Sequence, residues 1–170
     1  GDSAWGVPDS VVLPDRRIRL YWVSTDRETK TLANEVMLSA TSTTTEGTNF
    51  IVDEGYRAEG GHVGFEVLKA KNNDWLAIMS SSPVTLPDKP QGIYIGVSND
   101  GLSWEINESN LAPVEKSYLD PTGLLFPDSD NKYRIVMSSS LSILEEREYS
   151  LVAAELSFTL PTTTLSPNWS

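Results

Sequence analysis

The sequence predicts an all-β protein, and three observations carry that prediction. Helical periodicity is nearly absent, since only residues 141–148 have helix-forming character and that stretch is short. Short apolar or alternating runs lie between clusters of Pro, Gly, Asn, Asp and Ser, which is typical of strands joined by turns. These runs also repeat along the chain at a fixed interval. A length of 170 residues fits a single domain.

The candidate strands follow one another between turn-rich segments. They cover residues 10–13, 18–24, 35–41, 65–70, 75–81, 92–98, 123–126, 133–140 and 150–158. The repeat is clearest in residues 19–24, 76–81 and 134–139, which share one pattern and are each followed by a further apolar run. Trp22, Met79 and Met137 hold the same place in these three segments, and the intervals between them are nearly equal. This regular spacing indicates three related units.

Two of the units also share a tight turn in which an acidic residue precedes glycine and an aromatic residue follows three positions later. The pairs are Glu46-Gly47 and Asp100-Gly101, which lie nearly one repeat apart. Glycine accepts the positive φ that such a turn needs, and the carboxylate can accept nearby N–H bonds. A repeated four-stranded antiparallel unit of this length predicts β-propeller blades, over residues 5–60, 61–116 and 117–160, with 161–170 as a tail. A two-sheet sandwich, the alternative, predicts no fixed period.

The turn from Ser98 to Trp104 reads S-N-D-G-L-S-W, and it resembles the S-x-D-G-x-x-W turn of five-bladed propeller glycosidases, the arabinanase, xylosidase and fructosidase group. A looser likeness links it to the Asp-box of sialidases. Residues 7–15 with 19–21 resemble the blade opening of the same group, and so does Asp120-Pro121 with the strand that follows. These are blade motifs, and they describe an architecture more closely than an activity.

The resemblance implies a site built from three carboxylates on the innermost strands. It assigns Asp9 as the base, Glu66 as the acid and Asp120 as the pKa modulator or acid. Asp9 and Glu66 fall at equivalent positions, since Asp9 precedes Tyr21 by the same interval as Glu66 precedes Ile78, whereas Asp120 is displaced slightly. The family has its Glu in the third blade, while here it lies in the second. The alternative interpretation is that these acids cap turns in a chain with 24 acidic residues.

Aromatic and histidine side chains near the strand entries are the expected substrate-binding groups: Trp5, His62 and Tyr118. His62 lies in a glycine-rich run that lets the backbone approach a ligand, although a turn-stabilising role is the simpler interpretation. Trp75 and Trp104 fall at core positions of their blades.

The composition excludes several classes of function. A net charge of −11 disfavours nucleic acid as a partner and favours a neutral or cationic glycan over an anionic one. Without cysteine and with one histidine, the chain has no thiol chemistry and no multi-histidine zinc site, and no cofactor or metal is expected. Residues 128–131 suit a solvated turn better than a calcium loop. No apolar run reaches the about 18 residues that a membrane span needs, and no leader is expected. The compartment stays open, and the composition is compatible with an exported protein.

These observations favour a carbohydrate-active propeller module that hydrolyses or binds a glycan in an axial funnel. The alternatives are a non-catalytic glycan-binding or assembly module and a fragment of a larger propeller. Propellers close with about four to eight blades, and three repeats use nearly the whole chain. A homodimer that closes a six-blade ring is therefore a natural arrangement.

Overall fold

The fold consists of three four-stranded antiparallel sheets, each formed by strands that follow one another along the chain. A computed structural model describes Gly6 and residues 8–26, 34–69, 75–129, 131–140, 148–157 and 168–169, and the structural statements below concern this part of the chain. The first sheet contains β1 (Asp9–Val12), β2 (Ile18–Thr25), β3 (Glu35–Ser42) and β4 (Phe50–Val52). The second contains β5 (His62–Lys69), β6 (Trp75–Ser81), β7 (Ile93–Ser98) and β8 (Glu105–Asn107).

The third sheet contains β9 (Ser117–Leu125), β10 (Lys132–Ser140), β11 (Tyr149–Ser157) and β12 (Asn168–Trp169). Its outermost strand comes from the segment that the sequence predicts to be a tail, and it pairs with Ala154 and Glu155. Three successive up-and-down sheets confirm the all-β, propeller-blade prediction and exclude the two-sheet sandwich. The described residues include no helix, so none of them forms an apolar helix long enough to cross a membrane.

The second sheet lies between the other two, and the alternation of β6 shows why. Successive side chains of a strand point to opposite faces, and every residue of β6 is buried. Trp75, Ala77 and Met79 pack in the core shared with the first sheet. Leu76 and Ile78 pack in the core shared with the third sheet. The continuous apolar run of β6 therefore lies in the middle sheet of the three, with both of its faces buried. Trp75 is in the core, as predicted.

The predicted strands match the long strands of the structure, and the differences concern short or irregular ones. The sequence places only residues 123–126 in the first strand of the third unit, where the structure has the nine-residue strand β9. The prediction misses three short outer strands, β4, β8 and β12, because two or three residues carry no measurable alternation. The helix-like stretch 141–147 lies outside the described residues.

The acid–glycine turn of the second blade connects that blade to the first. The carboxylate of Asp100 accepts the backbone N–H groups of Leu102 and Ser103 at 2.7 and 2.8 Å, and Gly101 has a φ of +71°. Although burial opposes it, these N–H donors lower the pKa of Asp100. The ring of Trp104 lies edge-on to Phe65 at 5.3 Å between centroids. The predicted turn, with its aromatic residue folded into the core between blades, is confirmed.

Two side chains of β2 hold this turn against the first sheet. The Arg19 guanidinium donates to the carbonyl oxygen of Asp100 at 2.7 Å, and the Tyr21 hydroxyl donates to the carbonyl oxygen of Gly101 at 2.8 Å. Arg19 also donates to Thr41 Oγ1 at 3.0 Å and lies 3.5 Å from the Asp53 carboxylate. Arg19 is only 6% exposed. This cluster, which we call the interblade joint, is a polar contact at the edge of the apolar core that the first two sheets share.

Candidate functional site

The first strands of the three sheets, β1, β5 and β9, form a group that we call the inner strands. β5 lies beside both β1 and β9. Hydrogen bonds from side chains on one inner strand to the next join them, as described below. The candidate acids predicted from the sequence all lie on these strands.

Asp9 joins the first blade to the second through its carboxylate. It begins β1, opposite Tyr21 of β2. Oδ2 accepts the backbone N–H of Val67 on β5 at 2.6 Å, and Oδ1 accepts the N–H of the adjacent residue Ser10 at 2.6 Å. Both oxygens of this half-buried carboxylate therefore already accept hydrogen bonds from the backbone.

Glu66 repeats this arrangement between the second and third blades. It lies opposite Ile78, as Asp9 lies opposite Tyr21. Its Oε1 accepts the hydroxyl of Thr122 at 2.8 Å and the N–H of Gly123 at 3.4 Å, both on β9. Each carboxylate thus contacts the inner strand of the following blade, and the two occupy equivalent positions of adjacent blades.

The equivalent position of the third blade belongs to Thr122, which lies opposite Val136. More of the chain separates Thr122 from Val136 than separates Glu66 from Ile78, because the third hairpin is longer. Asp120 lies two residues before Thr122, where the register between β9 and β10 shifts, and it has a φ of +50°. Gly64 likewise lies two residues before Glu66, where the register between β5 and β6 shifts, and it has a φ of +61°. Asp120 is exposed and lies at this register shift rather than at the position equivalent to Asp9 and Glu66.

Burial raises the pKa of Asp9, and the negative charge of Glu66 raises it further. The N–H groups of Val67 and Ser10 oppose the shift without cancelling it. A raised pKa makes the Asp9 carboxylate a better proton acceptor than an ordinary aspartate, because catalytic proton transfer is most effective when the pKa approaches the working pH. The charge of Glu66, on the adjacent inner strand, is the smallest of these influences on Asp9.

This shift predicts a pH-dependent effect of Asp9→Asn on stability. With a raised pKa, the folded protein keeps a proton that the unfolded chain has already released, so the Asp9 contribution to the free energy of unfolding falls as pH rises from the ordinary value of 3.8 through the folded pKa. Asn cannot ionise, so the variant should gain stability relative to wild type between about pH 3 and about pH 7. Urea unfolding across this range measures the difference. The exposed Asp128→Asn should show no such trend, and a flat difference for Asp9→Asn would contradict the prediction.

His62 begins β5 and is buried. Its Nδ1 lies 3.1 Å from the carbonyl oxygen of Glu59, and its Nε2 lies 3.7 Å from the carboxylate of Glu108. The ring packs edge-on against Tyr94, with centroids 5.0 Å apart. Both ring nitrogens therefore face protein oxygens.

The other two predicted substrate-binding residues have different outcomes. Tyr118 lies in the apolar core between the second and third sheets and is only 7% exposed, so it offers no free ring face to a sugar. Burial raises the pKa of its hydroxyl, as expected for a phenol in such surroundings. Trp5 lies outside the described residues.

One buried acid, Glu35 at the start of β3, is not among the site residues predicted from the sequence. Its Oε2 has no hydrogen-bond partner within the described part of the chain, and burial raises its pKa. β3 is two strands from β1, a distance of about 10 Å, so this acid lies apart from the inner-strand pair. In the sequence Glu35 precedes an apolar run, but such a run predicts only a strand and does not predict that the acid before it is buried.

Among the residues that the structure describes, no three His, Asp or Glu side chains are grouped so that they could hold a metal ion. Of the segment considered for calcium, Asp130 lies outside those residues. The Ser129 hydroxyl pairs with Asn131 Oδ1 at 3.2 Å, which is a local turn contact.

Neither a family model nor a curated protein matches the sequence. The structure, in contrast, is similar to several solved structures. An endo-1,4-β-xylanase from Bacteroides thetaiotaomicron matches with a TM-score of 0.68 at 13% identity, over 98% of this chain and 60% of that one. A β-fructofuranosidase of glycoside hydrolase family 32 from Bombyx mori matches with a TM-score of 0.69 at 18% identity, over 98% and 37%.

An α-L-arabinofuranosidase of glycoside hydrolase family 93 from Fusarium graminearum, solved with arabinobiose, matches with a TM-score of 0.68 at 13% identity, over 98% and 50%. The chain thus spans 37–60% of the length of these three structures. Identities of 13–18% show the fold. The chain therefore has a partial β-propeller fold, made of the blades found in propeller glycoside hydrolases.

Proposed function

We propose that this chain is a carbohydrate-active propeller module that binds a neutral glycan at the inner strands and hydrolyses it. The observation that carries the proposal is the pair Asp9 and Glu66, two carboxylates at equivalent positions of adjacent inner strands. Glycoside hydrolysis uses two carboxyl groups, one to protonate the leaving oxygen and one as a base or nucleophile. The solved structures with this fold, described above, include a xylanase, a fructofuranosidase and an arabinofuranosidase.

In this proposal Asp9 is the base, and Glu66 donates a proton to the leaving oxygen. Burial raises the pKa of Asp9, which suits a group that transfers a proton, and the assignment of Asp9 as the base follows the resemblance to propeller glycosidases. Asp120, exposed on β9, keeps the role of pKa modulator or acid in this proposal. The net charge of −11 favours a neutral over an anionic glycan.

A non-catalytic glycan-binding or assembly module is the second candidate, and the hydrogen bonds of the pair favour it. Both oxygens of Asp9 accept backbone N–H groups, and Oε1 of Glu66 joins the third blade. In the third blade the equivalent position is a threonine. Acids in this role lock neighbouring blades together, and a glycan would then be held without being cleaved.

Asp9→Asn and Glu66→Gln distinguish the two candidates. Assayed on a panel of neutral aryl glycosides, each change should lower kcat/KM by about 10²–10⁴, because each removes a group that transfers a proton. Glycan affinity, measured by calorimetry, should stay near that of wild type. Asp128→Asn and Glu105→Gln are matched controls, since both side chains are exposed and lie off the inner strands. Binding without turnover by wild type would establish the second candidate, and neither binding nor turnover would overturn both.

A further inference from the structure

The third sheet has an outer face, which is turned away from the second sheet. Its side chains occupy positions that, in the first and second sheets, pack against the following blade. We define this face by Leu124, Arg134, Leu151 and Glu155. Leu124 and Leu151 are 75% and 79% exposed. Leu124 lies on β9 and Leu151 on β11, and exposed leucines together on one sheet face are typical of an interaction site.

The strand register shows what each position does in the other blades. Leu124 lies opposite Arg134 as Leu68 lies opposite Leu76, and Leu68 is buried against the third sheet. Leu151 lies opposite Ser138 as Ile93 lies opposite Ser80, and Ile93 is buried in the same core. The exposed leucines therefore occupy positions that pack against a following blade.

Arg134 occupies the position in the third blade that Arg19 of the interblade joint occupies in the first. It lies opposite Glu155 as Arg19 lies opposite Thr41. Arg134 donates to Glu155 at 2.9 Å, much as Arg19 donates to Thr41 at 3.0 Å. In the first blade the arginine also binds the acid–glycine turn of the next blade. The outer face of the third sheet is thus shaped to receive such a turn.

The first blade carries a turn of this kind that contacts no other blade through any described hydrogen bond. It is the segment 44–50, which we call the first-blade turn. Gly47 has a φ of +65°, close to the +71° of Gly101, and the Thr44 hydroxyl donates to Glu46 at 2.7 Å as the Ser98 hydroxyl does to Asp100 at 3.0 Å. Residues 43–46 are exposed.

We propose that two copies of this chain associate head to tail, with the first-blade turn of each copy seated on the outer face of the partner's third sheet. The acidic Glu46 complements the cationic Arg134, and the outer face of the first sheet adds the exposed Val12 and Val52 to the leucines. Two such contacts close a six-blade ring, within the range of blade numbers that propellers use. This inference is independent of the proposed activity, since it rests on the outer sheets and not on the inner strands.

Light scattering on a sizing column, over a dilution series, tests the proposal. Wild type should elute at about twice 18.7 kDa, and Leu151→Glu should shift it to the monomer mass because a buried unpaired charge opposes association. Val114→Glu is the matched control, since Val114 is 68% exposed and lies outside both outer faces. Circular dichroism should show that all variants remain folded, because each altered side chain is exposed within one copy.

Val12→Glu separates the ring from other dimers. A head-to-tail ring uses the first sheet, so this change should also give monomers, whereas a dimer formed by two third sheets would survive it. A dimeric Val12→Glu variant would overturn the proposal. A monomeric wild type would overturn it as well, and would assign the outer face to another occupant, such as a further blade.

Discussion

Replacing Arg19 with methionine is expected to lower the free energy of unfolding by about 3 kcal/mol, because it breaks a buried ion pair from one side. The change removes a buried cation and leaves the Asp53 carboxylate, 3.5 Å away, without its ion-pair partner. Such a loss costs about 3–5 kcal/mol. The lower end applies because the hydroxyls of Ser39 and Thr41 still donate to Asp53, at 2.6 and 2.9 Å. The carbonyl oxygen of Asp100 also loses a donor.

Urea unfolding of a matched pair of variants measures this effect. Arg17→Met removes an arginine of the same strand region, whose ion pair with Asp15 is 41% and 52% exposed. Exposed pairs of this kind contribute little to stability, so this control should change little. The double variant Arg19→Met/Asp53→Asn should recover part of the loss, since Asp53 is then neutral, and only part of it, since the buried Arg57 also loses the negative charge of Asp53. Equal losses for Arg19→Met and Arg17→Met would show that the interblade joint is not a stabilising contact.

Much of the fold could be predicted because the repeat and the alternation are local signals. The middle strands 18–24, 75–81 and 133–140 were placed to within one residue of the structure. The acid–glycine turn was also recognisable, because a carboxylate and a positive φ determine its geometry within a few residues. Interactions of this kind need no knowledge of distant parts of the chain.

The candidate site could be predicted only in part, because it depends on contacts between blades. Asp9 and Glu66 precede Tyr21 and Ile78 of the next strand by the same number of residues, and this interval correctly predicts that the two acids lie opposite equivalent residues. The same interval failed for Asp120, because a longer hairpin puts Thr122 there instead. The bond from Val67 to Asp9 joins distant parts of the sequence, and no local pattern predicts it. Whether these acids serve chemistry or blade packing depends on such contacts.

Polar groups that join blades lie both at the inner strands, where the candidate acids are, and farther out along the sheets. Toward the outer strands, Arg19 and Tyr21 hold the second-blade turn through its carbonyl oxygens. At the inner strands, Asp9 and Glu66 accept bonds from the next blade. A change at the interblade joint should therefore alter stability without removing an acid, whereas a change at Asp9 or Glu66 alters the candidate site and a contact between blades together.

Gly101→Ala is expected to lower the free energy of unfolding more than Gly60→Ala, although both glycines have the same φ. Gly101 has a φ of +71°, where an L-residue costs about 1–2 kcal/mol. An added Cβ would also lie 2.7 Å from the Tyr21 hydroxyl and 2.9 Å from the Arg19 guanidinium. Both anchors of the turn would have to move, and overpacking of this kind adds about 1–3 kcal/mol.

Gly60→Ala separates the two contributions, because Gly60 has the same φ of +71° and no atom within 4 Å of an added Cβ. It should lose only the backbone cost of about 1–2 kcal/mol. The difference between the two variants in urea unfolding then measures how closely the turn fits against β2. If that difference vanishes, the turn can shift freely and its fit against β2 does not help to hold the first two blades together. If it reaches the expected size, the fit of one backbone turn against Arg19 and Tyr21 determines how the first two blades are joined.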